Sequence, residues 1–189
     1  GNDTVIKFGI HVGVYILSDS DQDITACIDN AETARREARN VSSGIVFFDD
    51  YLKDKLRVYK HIEEMQESAL ENHEFEVYYQ PKYLFSTSEC IGAEALIRWS
   101  HKEKGLLPPN TFLPLFEKNG FIQKLDIFVF ENVCRFLAKW MKEGHKPVVI
   151  SCNLSRLHLQ NPRLTSILTE IADKYGVSTE FLEIELTES

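Results

Sequence analysis

The sequence predicts an α/β protein in which strands alternate with helices, so that a largely parallel sheet lies under a helical layer. Three observations carry this. Beyond Glu89, short runs rich in Val and Ile alternate with longer stretches whose apolar residues recur every third or fourth position. Several strand-like runs are apolar at every second residue, which fits a face covered by helices. Ahead of them, a strand, a helix and a strand lead into one long amphipathic helix, so two parts joined by a helix are expected.

The elements follow in order. "VIKFGIHVGVYIL", Val5 to Leu17, alternates and reads as a strand. From Asp23 to Arg39, Ile24, Cys27, Ile28, Ala31, Ala34 and Ala38 recur at helical spacing. "SGIVFFDD", Ser43 to Asp50, is a short strand after a turn. From Tyr51 to His73, Leu52, Leu56, Tyr59, Ile62, Met65 and Ala69 form one stripe between charges. That helix either lies on its own domain or connects two domains and pairs with a second chain.

After His73 the pattern changes. "FEVYYQPKYLF" and "ECIGAEALIRW" are two strands around "STS", a hairpin, and "SHKEKGLLPPN" is a loop. "TFLPLFEKNG" opens a short helix with Asn110 or Thr111 as its cap. Phe121 to His145 is a long amphipathic helix stopped by Gly144. "KPVVISCNLS" is a buried strand, Asn161 to Val177 a helix with Pro162 in its first turn, and "FLEIELTES" a last strand.

Bulk properties exclude several functions. The 189 residues are 43% hydrophobic and 26% charged, a globular composition. No run of 18 apolar residues suggests a membrane span, and no signal peptide is visible, so a cytoplasmic location is expected for this part, with any tether lying elsewhere in the parent. The net charge of −8 argues against a nucleic acid polymer as partner. An anionic ligand would therefore need local positive charge, from arginines or metal ions. The four cysteines are scattered without a CxxC pair and read as reduced thiols.

Three strands share a break in their pattern. In "IGAEALIRW" the odd residues are apolar, while Glu94, Leu96 and Arg98 share the other face. In "VVISCNLS", Ser151 and Asn153 oppose Ile150, Cys152 and Leu154. In "FLEIELTES", Glu183, Glu185 and Thr187 oppose Leu182, Ile184 and Leu186. For any single strand, an edge position or a salt bridge such as Glu94 with Arg98 is an adequate account. Taken together, each strand places an oxygen ligand (Glu94, Asn153, Glu185) near its C-terminal end, where (β/α) barrels build their sites. Two carboxylates and an amide suit Mg²⁺ or Mn²⁺ rather than Zn²⁺.

Five segments in register carry a family resemblance: "YYQPKY", "GAEALIRW", "GLLPPNTFLPLFEKNGFI", "VVISCNLS" and "LEIELTES". From about Leu70 to Ser189 the sequence resembles the first half of an EAL domain, the cyclic di-GMP phosphodiesterase family. The resemblance implies the first half of a TIM-like (β/α) barrel over residues 73–189, after a connecting helix at 51–72. Residues 1–50 resemble the β-α-β end of a degenerate GGDEF domain, without its signature, so no cyclase activity is implied.

The resemblance implies roles residue by residue. Glu94, Asn153 and Glu185 would be ligands of a two-metal Mg²⁺ or Mn²⁺ site. Arg98 would contact a phosphate of cyclic di-GMP, Leu96 would line the pocket and Gln80 would contact the nucleotide. Glu188 would anchor the loop after its strand as part of the catalytic set, and Glu117 would support the metal ligands from behind. The parent is expected to hydrolyse cyclic di-GMP to linear pGpG, with these residues alone inactive, because a barrel of roughly 250 residues is needed. The alternative is an EAL domain without catalysis that senses cyclic di-GMP or regulates a partner protein. A homodimer through the EAL domain or the connecting helix is a further expectation.

Overall fold

The computed structural model describes residues 9–19 and 21–186. The chain divides into two compact units, residues 1–61 and 62–189. The first holds β1 (Val12–Val14), α1 (Ile24–Glu37) and β2 (Ile45–Phe47), with β1 and β2 parallel. Asp23 caps α1 by accepting from the N–H groups of Thr25 and Ala26. The helix crosses β1 so closely that a Cβ at Gly13 would lie 2.0 Å from the Ala31 carbonyl oxygen, so only glycine fits there.

The expected first strand is longer than the observed one, and its residues 5–8 lie outside the described residues. Only Val12–Val14 pair, because β2 offers three partners. The apolar stripe of α1 is also only partly used: Cys27 and Ala34, and Ala38 just beyond its end, are buried, whereas Ile24 and Ile28 are exposed. Helix α2 (Asp50–Glu71) runs from the first unit into the second, and Asp49 Oδ1 accepts from Leu52 N–H in its first turn.

The second unit is built on a five-stranded sheet of β3 (Phe75–Tyr83), β4 (Cys90–His101), β5 (Gly105–Leu107), β6 (Val149–Leu154) and β7 (Leu182–Leu186). β3 and β4 form the expected hairpin, and β4, β6 and β7 are parallel. The other elements are α3 (Leu113–Asn119), α4 (Ile122–Lys142) and α5 (Leu164–Tyr175). The expected loop at 100–110 instead carries β5, which turns back on β4 because Gly105 takes a left-handed φ of 70°. β5 and β6 therefore share one edge of β4, since β3 pairs along the other.

The cap expected at Asn110 or Thr111 is not formed. Both residues lie in a 3₁₀ turn at Pro109–Thr111, and α3 starts after Phe112 with Pro114 in its first turn. The Thr111 hydroxyl donates to the Pro108 carbonyl oxygen instead. α4 closes as its sequence indicates, with Gly144 at φ 85° just beyond its end.

The core sits between the sheet and the α3–α4 layer. Trp99 and Phe116 are fully buried, and the Phe75 and Trp99 rings lie 5.0 Å apart. Tyr79 of β3 stacks on Phe136 of α4 at 4.4 Å. On β4 the odd residues from Ala93 to Trp99 are buried and the even ones only half-buried, so one face is covered by helices and the other left accessible. That second face carries the polar residues.

Candidate active site

Strand pairing fixes which residues share the accessible face. Gln80 of β3 pairs with Glu94, and Glu94 pairs with Ser151 of β6, which pairs with Glu183 of β7. One step further along, Tyr78 pairs with Leu96, and Asn153 with Glu185. Arg98 pairs with Glu76. Because side chains alternate with period two, all of these point to the same side.

Two direct contacts tie this face together. Asn153 Nδ2 donates to Glu94 Oε1 at 2.8 Å, across the β4–β6 boundary. Lys82 Nζ donates to Ser151 Oγ at 2.8 Å and to Glu185 Oε1 at 2.9 Å. The ammonium beside Glu185, helped by Ser151, holds its carboxyl below the ordinary carboxylate value, and Glu185 in turn raises Lys82. Arg98 does not pair with Glu94: its Nη1 donates to the Ile97 carbonyl oxygen, and its guanidinium lies 6.0 Å from the Tyr78 ring centroid.

The predicted residues thus separate into groups. Glu94 and Asn153 touch, and Glu185 is one strand further along the same row. Gln80 is exposed on β3 opposite Glu94, while Leu96 and Arg98 follow on the same strand. Glu117 stands apart on α3, in the wall of a cavity of about 270 Å³ shared with Leu96 and Asn153. Glu94, Arg98 and Glu185 do not line that cavity, which is mostly apolar and lies beside the carboxylate row. Glu188 lies outside the described residues.

The donor set has the chemistry of a divalent-cation site. Two carboxylates and an amide oxygen are hard ligands, and an ammonium already rests on Glu185 and Ser151, so the row attracts positive charge. Among the described residues no three His, Cys, Asp or Glu side chains cluster, so any such site here depends on the amide. Asn153 presents its NH₂ to Glu94, and ligation would require the amide to turn its oxygen toward the ion. With that turn the residues fit.

Two further residues belong to the site and its supports. Lys82 is two residues after Gln80, and period two alone would have put it on the same face. Asp126 lies on the apolar stripe of α4, four residues after Ile122, which was a usable signal. Its buried Oδ2 accepts from Ser155 N–H at 2.9 Å and lies 3.1 Å from His158 Nε2. This contact fastens the loop two residues beyond Asn153 to α4.

Known proteins resemble this chain over most of its length. Residues 63–189 match the family described as the EAL domain. The chain is 29% identical over 185 residues to the bifunctional diguanylate cyclase/cyclic di-GMP phosphodiesterase MucR of Pseudomonas aeruginosa, covering 97% of this chain and 27% of that protein. It is 30% identical to the cyclic di-GMP phosphodiesterase PdeR of Escherichia coli, covering 94% of this chain and 27% of that protein. The structure of the MucR phosphodiesterase in complex with c-di-GMP superposes with a TM-score of 0.63 at 34% identity, over 69% of this chain and 52% of that one. The chain thus spans only part of the relatives it matches, and the match covers the residues that build the row on β4, β6 and β7. The chain belongs to the EAL domain family.

Proposed function

We propose that the protein is a cyclic di-GMP phosphodiesterase that hydrolyses its substrate to linear pGpG, and that these residues supply one wall of its metal and phosphate site. The carrying observation is the Asn153–Glu94 contact, which joins two oxygen ligands on adjacent parallel strands with Glu185 next in the row. The names of MucR and PdeR support the substrate.

Glu94, Asn153 and Glu185 would hold Mg²⁺ or Mn²⁺, the pair Glu94 and Glu185 giving charge and Asn153 a neutral oxygen. When bound, the metal supplies polarisation of the phosphodiester and an activated water. Arg98, held over Tyr78, would take a phosphate oxygen, and a guanidinium suits that charge and shape. Leu96 stands between Glu94 and Arg98 and would keep water from the gap between metal and clamp. Gln80, opposite Glu94, would bind the nucleotide. Glu188 would anchor the loop after its strand and so help order the metal site, and Glu117 would support the ligands from behind. Residues 1–50 are assigned to the end of a GGDEF-like domain, 51–72 to a connecting helix and 73–189 to the EAL part, with a homodimer through the EAL part or the helix.

The test is a product assay on the full-length protein. Linear pGpG should accumulate with Mg²⁺ or Mn²⁺, stop with chelator and resume when metal is restored. Binding of cyclic di-GMP without any metal-dependent product would refute the enzymatic reading and leave a sensor.

A further inference from the structure

Lys82 reaches a long way. The strand order β3-β4-β6-β7 places its backbone three strand spacings from that of Glu185, about 14 Å across a flat sheet, and the pairing register adds an offset of four residues along the strands. The 2.9 Å contact therefore requires the sheet to coil toward its accessible face. The path between them runs past the pairing partner of Lys82, which is Gly92, a residue with no side chain to block the crossing. At the far end the ammonium meets Glu185 and the buried Ser151 hydroxyl.

We propose that Lys82 is the resident counter-cation of the candidate metal site, and that its ammonium competes with a divalent cation for Glu185. The proposal rests on the reading of Glu185 as a metal ligand. A carboxylate that gives an oxygen to a metal loses most of its attraction for an ammonium, because two cations then lie close to one another. Lys82 must give way, or share the carboxylate under repulsion. Both side chains are 39% exposed, so the ion pair is solvated and exchangeable rather than locked. Glu94 and Glu183 also act on Lys82 electrostatically, so the ammonium offsets negative charge of the whole row and not of Glu185 alone. Without metal, Lys82 keeps the carboxylates of neighbouring strands from repelling one another. With metal, it is the group displaced.

The test is a calorimetric titration of the full-length protein with Mn²⁺ alone, no nucleotide being present. K82M removes the charge and keeps the length, K82R keeps the charge, and E185Q removes the contested ligand. K82M should bind Mn²⁺ about three- to fivefold more tightly than wild type, the fold-change that a half-exposed ion pair is worth. K82R should stay near wild type, and E185Q should weaken binding. If E185Q weakens binding while K82M leaves Kd unchanged or raises it, Lys82 is no competitor, although the reading of Glu185 stands. If E185Q binds Mn²⁺ like wild type, Glu185 is no ligand and both readings fall. Should K82M not fold by circular dichroism, K82Q makes the same comparison.

Discussion

Asn153 of β6 donates its amide N–H to Glu94 of β4 across 2.8 Å, and this bond joins two strands that sequence separates by 59 residues. Its placement depends on features well away from the two side chains. Gly92 lets β4 approach β6, and Asp126 fastens the chain just beyond Asn153.

Gly92→Ala should destabilise the β4–β6 pairing. A Cβ there would lie 2.4 Å from the Val149 carbonyl oxygen, which belongs to a strand backbone and cannot swing aside. The expected loss is about 1–3 kcal/mol, as for an overpacked core. Urea unfolding of wild type and variant measures it, and equal midpoints would contradict the account.

Asp126→Ala should cost about 2–3 kcal/mol, since Ser155 N–H and the buried His158 both lose their partner. Asp126→Asn keeps an acceptor and should recover part of the loss. The two thermal midpoints, compared with wild type, give the answer. An alanine variant as stable as wild type would mean that the loop is held by other contacts.

Acid should weaken the second unit partly through Glu74. The Trp99 indole N–H, at 3.1 Å, is the main cause holding this buried carboxyl below its ordinary value, with Lys102 adding to it. A carboxyl lowered in the folded state stabilises above its ordinary value of 4.5 and loses that contribution as pH falls through the lowered value. Unfolding measured from pH 6 down to pH 3 should therefore show a smaller acid loss in Glu74→Gln than in wild type. Identical slopes would remove Glu74 from the account.

Thiol labelling should find one fast cysteine in the folded chain. Cys90 is exposed, while burial pushes Cys134 up to about 11 and Cys152 up to about 12, and Cys27 is also buried and raised. Labelling near pH 8 with a chromogenic disulfide should release one equivalent quickly and the rest only on denaturation. Two or more fast equivalents would show that the core opens readily.

The accessible face was legible because one strand states it openly. On β4, odd residues are apolar and even ones are Glu94, Leu96 and Arg98, and a period of two needs no tertiary information. The burial pattern of β4 follows the same alternation. The partner of Lys82 was not legible, because Glu185 lies 103 residues away and only the coiling of the sheet brings them together. β5 escaped for another reason: three residues, the first a glycine, carry too little periodicity to stand out from a loop. Asp126 stands on the apolar stripe of α4, but its partners Ser155 and His158 lie 29 and 32 residues further along the chain, and no local pattern names them.

The central claim, that Glu94 holds a metal used in cyclic di-GMP hydrolysis, is tested most directly by the rate of pGpG formation by Glu94→Ala in the full-length protein at saturating Mn²⁺. Loss of a metal-site carboxylate should remove several kcal/mol of transition-state stabilisation, a fall of about a hundredfold or more. Turnover above about a tenth of wild type, roughly 1.4 kcal/mol or less of lost stabilisation, would contradict the account.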